Sequence, residues 1–552
     1  MDLGNYATLS QDATLHTVEL TAGTLVVGPI SMGDHSAVGI RTGMAPGSSL
    51  AAGCVLGDLS WLDAGARTQP GELWDGVPAR CQGRTPAPLT DTPLRSGAVQ
   101  AMASVGLRAF ARVVVEAPLV GAALAASAYF HLDQAALLGW LETPQLTLEL
   151  VVLVGLVLVL RVPLTLLVEC LLVRALTPKQ TLHCQRGSFA YERIWIVSEL
   201  TDSASNWLSG SLMWPIWLRG AGMKIGRNSE VSTLIDLVPG MVEIGADSFL
   251  ADGIYLAGAR LRSGVASVEP TRIGDRSFVG NHATIPAGAQ LPPDVLIGVS
   301  TVADTSSITE PGVWFGHPPF LMARRYEPEM DRSLTHTPSF PRRVSRWFWE
   351  LLRFSLPLPV AALAMVWTAL AGHEWYTVMG ATLATGVLAV AFMLVLKWSL
   401  LGRVQPGKHP LWSCWCSRWD FLYVAWGMVA RGFLAELEGT LLLNAVLRGF
   451  GMRIGKRVLL GGGFAQVVDP DMLTFEDDST VVGNFQAHTF EDRVLKIDHV
   501  RIRKGATVGH HAVLFYGADI GAGAQVAPHG VVLKGERLAA GLRWAGVPVQ
   551  RS

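Results

Sequence analysis

A six-residue period restricts the fold of this chain more than any other feature. From Ile502, aliphatic residues fall at Ile502, Val508, Leu514, Ile520, Val526 and Val532. Small residues keep the same step at Ala506, Ala512, Ala518, Ala524 and Gly530. An α-helix repeats near 3.6 residues and a strand every two, so neither carries this pattern. A triangular solenoid does. Each short strand forms one side, the aliphatic residue points inward, and the small residue turns the corner, with three hexads to a coil. The comb recurs at Leu20, Val26, Met32, Val38, Met44, Leu50 and Leu56, and again at Ile273, Val279, Ile285, Leu291 and Ile297. The competing reading, a glycine-rich sandwich, predicts no fixed six-residue step. The expected fold is three tandem left-handed parallel β-helix domains.

A longer repeat frames the combs. Trp74-Asp75-Gly76-Val77-Pro78, Trp314-Phe315-Gly316-His317-Pro318 and Trp544-Ala545-Gly546-Val547-Pro548 share the pattern W-x-G-x-P, each just after a comb. The lead-in to the second comb, Leu218 to Gly226 (LRGAGMKIG), matches that of the third, Leu447 to Gly455 (LRGFGMRIG). The first comb has no such lead-in, so the chain is expected to be part of a longer protein.

Half the residues are hydrophobic and only 16% are charged, well under the share usual in soluble domains. The apolar runs Phe110 to Leu132, Leu146 to Val173, Ser355 to Gly372 and Tyr376 to Leu400 read as two membrane hairpins. Arg108, Arg112, Arg174 and Lys179 flank the first hairpin, whose loop holds Asp133 and Glu142. Arg342, Arg343, Arg346, Arg353, Lys397 and Arg403 flank the second, whose loop holds His373 and Glu374. That asymmetry places all three β-helices in the cytoplasm. Arg161 and Glu169 lie inside an apolar run and are expected to pair with neighbouring helices or the protein interior. The basic, aromatic stretch Arg342 to Phe354 suits a helix in the headgroup plane. The expected order is a β-helix at 1–85, a hairpin at 105–178, a lead-in helix and β-helix at 200–325, an interfacial helix and hairpin at 340–404, and a lead-in helix and β-helix at 430–552. A net charge of -1 offers no field for nucleic acid. Six scattered cysteines, with Cys414 and Cys416 one residue apart, suggest neither a disulfide framework nor a metal site.

Chemistry is expected where the comb is interrupted, since loops that leave a scaffold carry sites. The stretch Asn484 to Arg493 (NFQAHTFEDR) sets His488 beside amides, Glu491, Asp492 and Arg493, and Asp498 follows. His488 reads as a general base, with Glu491 and Asp492 as catalytic partners and Asn484, Arg493 and Asp498 on the substrate. The alternative is a surface histidine satisfied by its acidic neighbours. His510 reads as a further substrate contact or a coil-surface histidine, and His529 as a surface residue. In the second module His282 is the candidate base, and Asn281 and Asp252 the substrate contacts. A carboxylate cluster there, including Asp236, suits a cationic amine or simply turns the chain.

The hexad comb resembles that of acyltransferases in which a histidine near a coil corner is the base and the donor's pantetheine arm lies between coils. The order of parts resembles the C-terminal region of the polylysine-synthetase family of membrane nonribosomal peptide synthetases. Residues 222–226 (GMKIG), 451–455 (GMRIG), Asn484 with His488 to Arg493, and 544–548 (WAGVP) carry the likeness. The resemblance implies that the chain joins a carrier-bound aminoacyl thioester to a free amino acid or short peptide. It implies a phosphopantetheine arm as donor, with no cofactor bound in this chain, and adenylation and carrier domains as partners. It also implies six membrane helices, of which four are legible. Three β-helices in one chain are expected to pack with pseudo-threefold symmetry. An acyl-CoA-dependent membrane acyltransferase and a non-catalytic membrane scaffold remain alternatives.

Overall fold

The computed structural model describes residues 1–21, 23–86, 97–129, 131, 135, 138–139, 148–323, 330–491 and 493–552. Asp133, Glu142 and Asp492 lie outside the described residues.

The third comb shows how its spacing becomes structure. Arg501 pairs in parallel with Asp519, Thr507 with Gln525, and Val513 with Val531, each with the residue three hexads on. Successive short strands go to three different sheets in rotation, so every third strand stacks on its predecessor. The comb residues Ile502, Val508, Leu514, Ile520 and Val532 have no exposed surface. Full burial of such a side chain contributes about 1.5–3 kcal/mol. Ala506, Ala512, Ala518 and Ala524 are buried where the chain passes between sheets. Residues 2–84 and 224–322 form equivalent blocks. In the second, Arg272 pairs with Gln290 and Phe278 with Leu296, again three hexads apart.

In each block one turn of the solenoid carries a long insertion: Thr14 pairs with Gly43, Tyr255 with Thr284 and Asn484 with Val513, 29 residues on in each case. The additional residues form an antiparallel hairpin: Val18–Thr21 with Thr24–Val27, Arg260–Arg262 with Val265–Val268, and His488–Glu491 with Val494–Ile497. This corrects the first comb. Leu20 and Val26 belong to the hairpin rather than to the stacked strands, and Val26 is exposed. The chance spacing arises because both hairpin strands carry aliphatic residues. In blocks 2 and 3 a strand from the preceding connector, Leu182–Gln185 or Gly407–Pro410, adds to the hairpin edge.

Helices α1 (Ala98–Tyr129) and α2 (Leu148–Leu176) lie between blocks 1 and 2 in sequence. Lead-in helices α3 (Phe189–Leu208) and α4 (Met213–Gly220) follow. Between blocks 2 and 3 come α5 (Phe340–Leu352), α6 (Pro357–Leu370) and α7 (Trp375–Leu400), then lead-in helices α8 (Cys414–Val429) and α9 (Leu441–Gly449). Among the described residues four helical segments are long and apolar enough to cross a bilayer: Ala98–Tyr129, Val154–Leu176, Arg332–Leu370 and Trp375–Leu400. The third is composite, its apolar part α6 preceded by α5. Arg161 pairs with Glu116 of α1 at 3.0 Å, and Glu169 accepts from Ser203 of α3 at 2.7 Å, so both polar groups of the apolar helix α2 have partners.

Each block touches the other two. A common apolar cluster draws Ala45, Trp61 and Val77 from block 1, Val299 and Phe315 from block 2, and Val513, Phe515, Val531 and Val547 from block 3. Tyr255 donates to Asp12 at 2.5 Å, the His317 and Asp75 side chains meet at 3.1 Å, and the His16 and His510 rings stand 4.0 Å apart. His529, expected on the surface, is buried against Trp61 of block 1. Its coil corner faces another block instead of solvent.

Removing a comb side chain tests the stacking. Leu514→Ala is expected to cost about 2–5 kcal/mol. Leu25→Ala, on the exposed hairpin, should stay within about 0.5 kcal/mol. Thermal unfolding of the two variants measures the difference.

Candidate functional site

The block 3 hairpin holds His488 at its first strand position. Its partner comes from elsewhere. Asp469 sits in a left-handed backbone conformation (φ 54°) just before Pro470, which turns its carboxylate toward the hairpin. Asp469 Oδ2 lies 2.9 Å from His488 Nδ1, in ion-pair range but too oblique for a hydrogen bond. The other oxygen, Oδ1, accepts the indole N–H of Trp419 from α8 at 2.9 Å. The Trp419 ring meets the imidazole edge-on, centroids 4.9 Å apart. The carboxylate is buried while the imidazole keeps some exposure, as suits a base that must reach a ligand.

His488 opens on a cavity of about 770 Å³ between blocks 2 and 3, within the usual range for small-molecule sites. Asn484, Gln486 and Thr489 share its wall with His488. Asp252, Asn281 and His282 of block 2 line it as well. Helix α5 closes it with Arg346, Trp349 and Glu350, and α8 with Trp419, Asp420 and Tyr423. Arg346, itself buried, is tied to the half-buried Glu230 of block 2 at 3.0 Å and to the buried Glu350 at 2.8 Å. Arg353 pairs with Asp420. These ion pairs leave Asp252 as the wall's carboxylate without a cationic partner among the described residues; it accepts from Ser232 and from Thr233 (3.3 Å).

The sequence-derived candidates divide. The cavity gathers His488, Asn484, His282, Asn281 and Asp252 from two blocks. Glu491 does not line it. Its carboxylate accepts from Lys496 at 2.6 Å, Tyr516 at 2.9 Å and Lys534. Burial alone would raise its pKa, but the Lys534 charge and these hydrogen bonds hold it below the usual carboxylate range. Arg493 is buried and donates to the Asn228 carbonyl, joining the hairpin to block 2. Asp498 accepts from the backbone of His499 at 2.7 Å. His510 lies against His16, away from the cavity wall. His282 is held well below the usual histidine range by burial, then by the charge of Arg41 and by His511. It therefore faces the cavity as a neutral ring.

Sequence reasoning missed Asp469 and Trp419. The signal lay in the repeat: Val467 to Met472 (VVDPDM) against Asp236 to Met241 (DLVPGM) puts Asp469 where block 2 has Val238.

The chain is similar to the delta-poly-L-ornithine synthetase of Acinetobacter baumannii (strain AB307-0294), with 29% identity over 578 aligned positions covering 98% of this chain and 42% of the relative. The chain is polylysine-synthetase-like. It spans less than half the length of that relative. No family profile and no solved structure matches it. In this polylysine-synthetase-like chain, the dyad and the cavity between blocks 2 and 3 are thus placed from its own geometry alone.

The block contacts generate a pH test. Burial, followed by the charge of Arg41 and by His510 and His16, pushes His511 down to about 3. Below the unfolded value near 6.5 the unfolded chain binds a proton that the folded chain does not, so His511 costs stability as pH falls. The stability advantage of wild type over His511→Gln should therefore shrink steadily from pH 6.5 to 4.5. Carboxyls such as Asp202 titrate in both proteins and cancel in the comparison, which melting temperatures at matched pH supply.

Proposed function

We propose that this chain is the membrane-bound, peptide-bond-forming region of a nonribosomal synthetase. It transfers a carrier-bound aminoacyl group to the amino group of a free amino acid or short homopolymer. The observation that carries the reading is the Asp469–His488 pair facing a cavity between two blocks. The name of the similar protein, a poly-ornithine synthetase, supports the chemistry. The 42% coverage of that relative agrees with adenylation and carrier domains that activate the amino acid elsewhere.

In this reading each block is a left-handed triangular β-helix, and the three pack with pseudo-threefold symmetry. The returns of three hexads and the shared central cluster support it. The four apolar helices span the membrane as two hairpins, with the blocks on the cytoplasmic side. The carrier's phosphopantetheine arm enters the cavity. With Nδ1 toward Asp469, His488 Nε2 takes the proton of the attacking amine, and the buried carboxylate stabilises the imidazolium. The amine nitrogen bonds to the thioester carbonyl carbon and the carbon–sulfur bond breaks. The thiolate leaves, recovering the proton from His488. Asn281 or Asn484 donates to the developing oxyanion. Asp252 meets the acceptor's positive charge.

His488→Ala is expected to lower the turnover of an aminoacyl-loaded carrier by about 10²–10⁴-fold. Asp469→Asn should lower kcat more than it changes KM. Equal or better use of acetyl-CoA would instead favour a general acyltransferase. Unchanged product from a folded His488→Ala protein would favour a scaffold.

A further inference from the structure

The repeat relating the blocks makes a second interface comparable with the cavity, residue by residue. The pairings that close over the hairpins set Asp12 and Arg41 of block 1 where Gly253 and His282 stand in block 2. They set Tyr255 where Asn484 stands in block 3. Counted from the matched helix caps Ser188 and Ser413, Ser198 and Asp202 of α3 stand where Tyr423 and Gly427 stand in α8. Asp236, three residues before Pro239, takes the place of Val467, three before Pro470. All six counterparts, Gly253, His282, Asn484, Tyr423, Gly427 and Val467, line the cavity.

The contacts at this second interface hold the set together. Tyr255 donates to Asp12 at 2.5 Å, and Ser198 to Asp236 at 3.0 Å. Burial, then the charge of Asp236, pushes the Asp202 carboxyl up to about 7, and burial raises Asp236 to about 6. Solvent nonetheless reaches Asp12, Asp202 and Asp236, so these carboxylates are not sealed in a core. An independent observation points to a ligand. Arg41 is 3% exposed, near Asp12 and Tyr255, and both its terminal nitrogens lack a hydrogen-bond partner among the described residues. A buried guanidinium without a partner is costly. The counterparts of Asp469 and His488 are Val238 and Ala259, so this interface has no base of that kind.

We propose that the interface of blocks 1 and 2 is a binding site, without chemistry of its own, for a small diamino acid. The carboxylate binds Arg41, and the ammonium groups bind Asp12, Asp202 and Asp236. The proposal does not rest on the transfer reading.

Equilibrium dialysis of the full chain in detergent, with labelled lysine and pentane-1,5-diamine as probes, tests it. Lysine should bind saturably, and about tenfold or more tighter than the diamine, which lacks the carboxylate. Arg41→Met should remove that preference, and Asp202→Asn with Asp236→Asn should weaken both probes by about tenfold or more. His488→Ala should leave binding at this interface unchanged. Absence of saturable lysine binding overturns the proposal. So does equal affinity of wild type for the two probes, a comparison that needs no substitution. Binding lost in His488→Ala but kept in the Asp202 and Asp236 variants would place the ligand in the other cavity, whatever the fate of the transfer reaction.

Discussion

Every sixth side chain must be apolar, and each must land on its counterpart one coil later. The parallel ladders demand this register, because a slip by one residue would turn the whole aliphatic row out of the interior. The requirement leaves other residue types the outward strand positions, such as Arg501 and Asp519, and the corners where the chain passes from one sheet to the next. Corners here adopt left-handed backbone conformations in non-glycine residues: Asp12, Arg41, His282, His511 and His529 all have φ between 53° and 59°, save Arg41 at 49°. Such conformations cost of order 1 kcal/mol or more each. The side chains they project are the ones that meet another block or face the cavity. The stacking constraint thus decides where polar chemistry can stand.

That link explains what was legible in the sequence. The comb of block 3 and its interruption at His488 could be read directly, since both are patterns along the chain. The comb of block 1 misled at Leu20 and Val26, because a hairpin of matching composition falls in step with the hexads. Contacts across the chain were not legible. Asp469 stands more than a full coil before His488 in the sequence, and Trp419 much further back on a helix, yet both converge on one ring. Glu491, the nearest acid in sequence among the described residues, turns to Lys496 and Lys534 instead. Strand geometry gives the reason. His488 and Glu491, an odd number of positions apart, point to opposite faces of their strand.

The charges around the cavity show how the helices between the blocks are fitted to the blocks. Arg346 and Glu350 of α5 face inward, bound to each other, and Arg346 also binds Glu230. On the opposite side of the same helix Phe340, Val344, Phe348 and Leu351 are exposed, a stripe at helical spacing. One helix therefore closes the cavity with ion pairs and presents apolar side chains outward. Buried ion pairs add little net stability, but breaking one leaves a costly lone charge. Their value here is positional. The network fixes α5 against block 2, and with it the roof over His488.

Three copies of one backbone make three interfaces, and the residues at equivalent positions set them apart. Between blocks 2 and 3 stand a histidine and its buried carboxylate, with walls of ion pairs and the carboxylate of Asp252. Between blocks 1 and 2 the same positions hold carboxylates and a guanidinium, with alanine and valine in place of the dyad. Between blocks 3 and 1, His16, Trp61, His510 and His529 pack ring against ring. The coil corners recur in all three blocks, and lead-in helices precede blocks 2 and 3. What differs is whether the interface carries a base, carboxylates or packed rings. A repeat in which stacking fixes the frame can change these few side chains without disturbing the frame, because none of them belongs to the comb.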